Sequence, residues 1–148
     1  MTRVDFYILP DESSEQRNLF ACRIAEKAFK LGHSIYIHSD DQKQAKALDE
    51  LLWCWRASSF IPHQIESADT DANGQNIINI GCDQGQGSSA PINGLLINLS
   101  HQVPEFFSRF ERVTEIVVQS PAVTESTRSN YRFYRDRGYP LESHDLRN

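Results

Sequence analysis

Val4-Asp5-Phe6-Tyr7-Ile8-Leu9-Pro10-Asp11-Glu12-Ser13-Ser14-Glu15-Gln16 decides the fold. Its first six residues are a largely apolar run that reads as a buried strand, and Pro10 stops it. Ser13, with Gln16 three positions later, has the spacing of a capping box. A helix from there to about residue 31 places Phe20, Ile24, Ala28 and Leu31 on one face, and Gly32 suits the position just past its end. A buried strand feeding an amphipathic helix is the opening unit of a parallel α/β sheet. The same turn argues against a nucleotide site. Dinucleotide binders place glycines here so that backbone can approach pyrophosphate. Residues 9–14 contain no glycine, and Asp11 and Glu12 would repel phosphate.

The pattern continues along the chain. Ser34-Ile35-Tyr36-Ile37-His38 reads as a second strand, and Ser39 with Gln42 repeats the capping-box spacing before another helix. Residues 66–74 are polar and turn-rich. Ile77-Ile78-Asn79-Ile80 is a short strand, and residues 81–90, rich in Gly, Ser and Gln, read as an exposed loop. Leu95-Leu96-Ile97-Asn98-Leu99 and Thr114-Glu115-Ile116-Val117-Val118 are further strands. Between them Pro104 opens a short helix carrying Phe106, Phe107 and Phe110. Pro121 precedes a last helix that runs to about Arg137 and stops at Gly138. Strands alternating with helices predict one α/β domain over residues 1–148, Rossmann-like, with a mostly parallel sheet covered by helices on both faces.

The 148 residues carry a net charge of −5, which disfavours strong direct binding of nucleic acid, because phosphate contacts need a positive surface. No apolar run approaches the ~20 residues needed to span a bilayer, so no membrane association is expected. The start, Met1-Thr2-Arg3-Val4-Asp5, lacks signal-peptide character. Cys22, Cys54 and Cys82 are odd in number, widely spaced and without a CxxC pair, which fits reduced thiols in the cytoplasm. The best catalytic lookalike is His38-Ser39-Asp40-Asp41, at the C-terminal end of a strand, where open sheets bind ligands. His38, Asp40 and Asp41 could hold a divalent metal in a small phosphohydrolase or nucleotide-binding enzyme. The competing account is a helix cap followed by acids that favour the helix dipole. No nucleophile–base pair and no cofactor motif can be named.

Two features point toward binding. In Gln44-Ala45-Lys46-Ala47-Leu48-Asp49-Glu50-Leu51-Leu52-Trp53-Cys54-Trp55, a 100° helical step gathers Ala45, Leu48, Leu51, Leu52 and Trp55 on one face. Trp53 falls opposite, among Lys46, Asp49 and Glu50. Either the helix ends before Trp53 and the ring packs inward, or the ring waits on the polar face for a partner to cover it. In the last helix Arg128, Arg132 and Arg135 cluster within about 60° with Tyr131 on their flank, while Val123, Asn130, Phe133 and Tyr134 face the other way. This stripe is a solvated face, a dock for an acidic peptide, or a track for single-stranded nucleic acid.

These residues carry a family likeness. Phe6-Tyr7-Ile8-Leu9, Asp41, Gln44, Ala45, Leu48-Asp49-Glu50, Leu52-Trp53, Ser59-Phe60-Ile61-Pro62-His63 and Asn98-Leu99 belong to it. So do Arg128, Tyr131, Arg132, Tyr134, Arg135 and Gly138-Tyr139. The chain resembles the chi subunits of the bacterial DNA polymerase III holoenzyme nearly from end to end, residues 66–90 being the variable part. The resemblance implies a non-catalytic adaptor in a replisome, without cofactor or metal. It implies one surface, including Trp53 and Phe60, that holds the psi subunit of the clamp loader as a heterodimer. A helicase or polymerase component is the alternative occupant of that surface. A second surface, with Val117, Arg128, Tyr131 and Arg132, would bind the acidic C-terminal tail of single-stranded DNA-binding protein. Some relatives carry a basic residue near position 124, where this chain has Thr124.

Overall fold

The computed structural model describes residues 2–54, 63–65, 78–81, 94–104 and 106–147. The order is β1 (Arg3–Ile8), α1 (Ser14–Lys30), β2 (Ile35–His38), α2 (Gln42–Cys54), β3 (His63–Ile65) and β4 (Ile78–Gly81). Then come β5 (Leu95–Asn98), a 3₁₀ turn (Phe107–Arg109), β6 (Arg112–Val117), α3 (Pro121–Asp136) and β7 (Leu141–Asp145).

The strands form one seven-stranded sheet in the order β3-β4-β2-β5-β6-β1-β7, with every pairing parallel. Side chains alternate across it as strand geometry requires. Ile35, Ile37, Ile97 and Ile116 join Ala21, Ala25, Ala45 and Leu48 in a core beneath α1 and α2. Val4, Phe6, Tyr36, Leu96 and Val113 point to the opposite face, into a core with Phe106, Phe107, Phe110 and Tyr134. The two faces are thus covered by different helices, giving a Rossmann-like α/β architecture.

The helix ends follow local chemistry. Ser13 Oγ accepts the Gln16 amide at 3.2 Å, as the capping-box spacing predicts. Gly32 and Gly138 adopt φ of +89° and +80°, where a Cβ is strained, and they follow α1 and α3 closely. The second cap differs from the sequence expectation. Asp41, not Ser39, caps α2. Its Oδ1 accepts the Gln44 amide at 2.8 Å, and Gln44 Oε1 accepts the Asp40 amide at 2.7 Å. Ser39 is buried and its hydroxyl donates to the Gly81 carbonyl at 2.9 Å. Gly81 therefore belongs to the sheet: it ends β4 and is buried rather than opening an exposed loop. Residues 82–90 of that expected loop, and the turn-rich residues 66–74, lie outside the described residues. Two strands had no sequence signal: β3, and β7, which adds to β1 at the sheet's edge.

Candidate functional site

The C-terminal ends of β1 and β6 and the shaft of α3 enclose an open cavity of about 450 Å³. Parallel register makes its floor. Phe6 pairs with Glu115 and Ile8 with Val117, so Phe6, Ile8 and Val117 rise together on the α3 side of the sheet. Tyr131 leans on that floor, its ring edge-on to Phe6 at 5.2 Å between centroids. Arg128, Arg132 and Arg135 form the exposed rim on α3, and Arg147 closes the side next to β7. Four arginines and no acid line the cavity. Among the described residues Arg128 and Arg132 form no ion pair. Arg135 is shared with the exposed Asp136 at 3.5 Å, and Arg147 holds Asp145 at 2.7 Å, pulling that carboxyl down to about 2.

The rotation of α3 is set from beneath. Glu115 is fully buried on β6, and Tyr134 Oη donates to its Oε2 at 2.8 Å. Asn98 Nδ2 donates to the same oxygen at 2.8 Å, and Asn130 Nδ2 reaches Oε1 at 3.3 Å. Burial raises the Glu115 pKa, while these donors and the Arg17 charge oppose the rise. Arg17, buried on α1, donates Nε to the Ile116 carbonyl at 2.9 Å and Nη1 to Leu99 at 3.0 Å, fastening α1 to the ends of β6 and β5. With Asn130 and Tyr134 turned inward, Arg128, Tyr131 and Arg132 must point to the cavity side of α3.

The structure thus brings Val117, Arg128, Tyr131 and Arg132 to one concavity, with Thr124 also on its wall. Sequence reasoning missed Phe6, Ile8 and Arg147. The first two looked like ordinary strand residues, and the alternation of β1 puts them on the α3 face only once its parallel partner is known. Arg147 follows a strand the sequence did not announce.

The tryptophan helix runs without interruption through Cys54, with Lys46 and Glu50 exposed and Ala45 and Leu48 buried. The Trp53 side chain and Phe60 lie outside the described residues.

The enzymatic alternative finds no support. His38 is 2% exposed, stacked near Tyr36 and edge-on to Phe106 at 5.4 Å. Asp41 is a helix cap, and Asp40 accepts the His101 amide at 3.3 Å. Among the described residues the grouping with metal-ligand spacing is a different one, Asp5, Glu142 and His144. There the Arg3 guanidinium already lies against both carboxylates, and His144 Nε2 is 3.3 Å from Asp5. A bound cation would have to displace that internal one, so the cluster reads as an ion-paired clasp between β1 and β7.

The architecture is that of a Rossmann-like α/β domain. It superimposes on a chain of the crystal structure of T4 UvsW with a TM-score of 0.72 at 11% identity, covering 98% of this chain and 41% of that one. That likeness shows the fold alone. Sequence comparison goes further. The family described as DNA polymerase III chi subunit, HolC, matches residues 1–142, and the chain belongs to it. It is 41% identical over 146 residues to the DNA polymerase III subunit chi of Pseudomonas aeruginosa, covering 99% of this chain and 98% of that protein. Identity to the subunit of the same name from Escherichia coli K12 is 29% over 147 residues, covering 97% of each. The family is one of accessory rather than catalytic subunits. No described helix is long and apolar enough to cross a membrane.

Proposed function

We propose that the chain is a replication bridge, gripping the acidic C-terminal tail of single-stranded DNA-binding protein in the α3 cavity and the psi subunit of the clamp loader through Trp53 and Phe60. The observation that supports the tail site is the cavity's composition: four arginines and no acid around an apolar floor, on a chain of net charge −5. A tail of this kind ends in a carboxylate beside an aromatic ring. The carboxylate calls for charge-assisted donors, which Arg128 and Arg132 offer one helical turn apart. The ring calls for an apolar wall, which Phe6, Val117 and Tyr131 offer. Because single-stranded DNA-binding protein presents several tails, weak individual contacts can add up to firm tethering.

The test is a titration of labelled tail peptide against wild type and Arg128→Ala at two salt concentrations. Affinity is expected to fall in the variant and to fall as salt rises, since exposed charges are screened within about 10 Å at ~0.1 M ionic strength. Removing the tail's last phenylalanine should abolish binding. Equal affinity of both proteins at low salt would reduce the arginine stripe to a solvated face.

A further inference from the structure

A second, larger groove of about 670 Å³ lies on the opposite face of the sheet and at its opposite end, between the second half of α1 and the first halves of β1 and β6. Its wall is aliphatic and aromatic: Phe20, Ile24 and Leu31 from the α1 side, Tyr7 from β1 and Leu95 from β5. Leu31 is 69% exposed, the highest value among large apolar side chains of the described residues. Its rim is largely cationic, with Asp5 and the exposed Glu111 as the acids that also line it. Arg23 and Lys27 stand one turn apart on α1, and across from them Arg112 of β6 is the register partner of Arg3 of β1. Like charges opposite each other on neighbouring strands cost stability unless something compensates them. Arg3 is compensated, by Asp5 and Glu142. Among the described residues Arg23, Lys27 and Arg112 form no ion pair. Lys30, on the same helix, shows the contrast, being paired with Glu26 at 3.1 Å.

We propose that this groove is a further docking surface, whose occupant is an acidic peptide segment with a bulky aliphatic or aromatic anchor. Charge complementarity selects the sign: four cations, Arg3, Arg23, Lys27 and Arg112, line the groove against two acids, Asp5 and Glu111, on a chain with more acids than bases. The wall selects the class. Bases of single-stranded nucleic acid stack on open aromatic faces. Here Tyr7 is already stacked on His144 at 4.6 Å and tilted against Phe20 at 5.5 Å, and Leu95 is buried, which leaves Ile24 and Leu31 as the free contact surface. Such a wall suits a leucine-like side chain. The sheet separates this groove from the α3 cavity, so both can be filled at once, and the inference does not depend on what the α3 cavity binds.

The probe is a short fluorescent peptide of alternating glutamate and leucine with both ends blocked, followed by anisotropy at low ionic strength. Its glutamates also suit the α3 arginines, so every protein titrated with it carries Arg128→Ala and Arg132→Ala. Saturable binding is expected, weakened roughly tenfold or more in R23E/K27E, because each reversal removes an attraction and adds a repulsion. Leu31→Ser should weaken it too. Circular dichroism checks that the exposed substitutions leave the fold intact. Absence of saturable binding, or equal affinity with and without R23E/K27E, would overturn the proposal. So would a single-stranded oligonucleotide that binds the same Arg128→Ala, Arg132→Ala protein, outcompetes the peptide and is released by R23E/K27E.

Discussion

Tyr134→Phe should destabilise the protein by about 2 kcal/mol at a pH above the raised pKa of Glu115, although it removes one oxygen atom and leaves the ring in place. Tyr134 is fully buried, and its hydroxyl donates to Glu115 Oε2 at 2.8 Å. A hydrogen bond to a charged group contributes roughly 1.5–3 kcal/mol, and its loss leaves a buried acceptor with fewer donors. Asn98 still serves that oxygen and Asn130 the other, which keeps the cost in the lower half of the range. Urea denaturation followed by circular dichroism reads the effect. With a slope of ~2 kcal/mol/M the midpoint should drop by about 1 M at unchanged slope. The pH dependence has a definite sign. Burial raises the Glu115 pKa above its ordinary 4.5, so its favourable contribution is full below that ordinary value and fades as pH rises through the raised one. Tyr134 donates chiefly to the charged form. The cost of Tyr134→Phe is therefore largest above the raised pKa and shrinks on acidification. A midpoint shift under about 0.3 M at every pH, or a cost that grows as pH falls, would refute the buried-carboxylate reasoning.

Three other outcomes are expected. Trp53→Ala should weaken binding of the psi partner by about 2 kcal/mol or more with the urea midpoint unchanged, measured by calorimetry; a large stability loss with intact binding would place the ring in the core. Asp41→Ala should cost about 1 kcal/mol through the lost α2 cap and Asp41→Asn much less, while the wild type hydrolyses no phosphoester with added divalent metal; metal-dependent turnover abolished by Asp41→Asn would revive the enzymatic reading. Cys22 is buried, and desolvation pushes its thiol up to about 12, so iodoacetamide at about pH 8 should spare it in the native protein and label it in urea, as peptide mapping can show.

Much of the fold was legible because local rules sufficed. Ser13 and Gln16, Gly32, Pro121 and Gly138 mark helix ends through chemistry confined to a few neighbours, and the apolar runs of β1, β2, β5 and β6 are buried as such runs must be. The α2 cap was misread by two positions because Ser39 and Asp41 both satisfy the spacing rule, and only the burial of Ser39 against the Gly81 carbonyl separates them. β7 escaped because Leu141-Glu142-Ser143-His144-Asp145 has one strongly apolar residue in five; a largely exposed edge strand needs no hydrophobic pattern. The arginine stripe was visible from helical periodicity. The floor it faces was not, because Phe6 and Ile8 meet Val117 only through a pairing between strands more than 100 residues apart.

Glu115 explains why that stripe can be relied on as a fixed surface. A buried carboxylate costs stability by desolvation, and an apolar contact in its place would be the more stabilising choice. An apolar contact is also tolerant of sliding. Turning α3 by one residue step of about 100° would carry Arg128 and Arg132 away from Val117 and Phe6. Asn130 and Tyr134, one turn apart, converge on a single carboxylate whose position is set by β6, and Asn98 fixes that carboxylate from β5. Those bonds have one satisfactory geometry, in which Arg128, Tyr131 and Arg132 face the cavity. Stability given up beneath the helix thus becomes precision above it, which the proposed grip on a short charged tail requires more than a larger core.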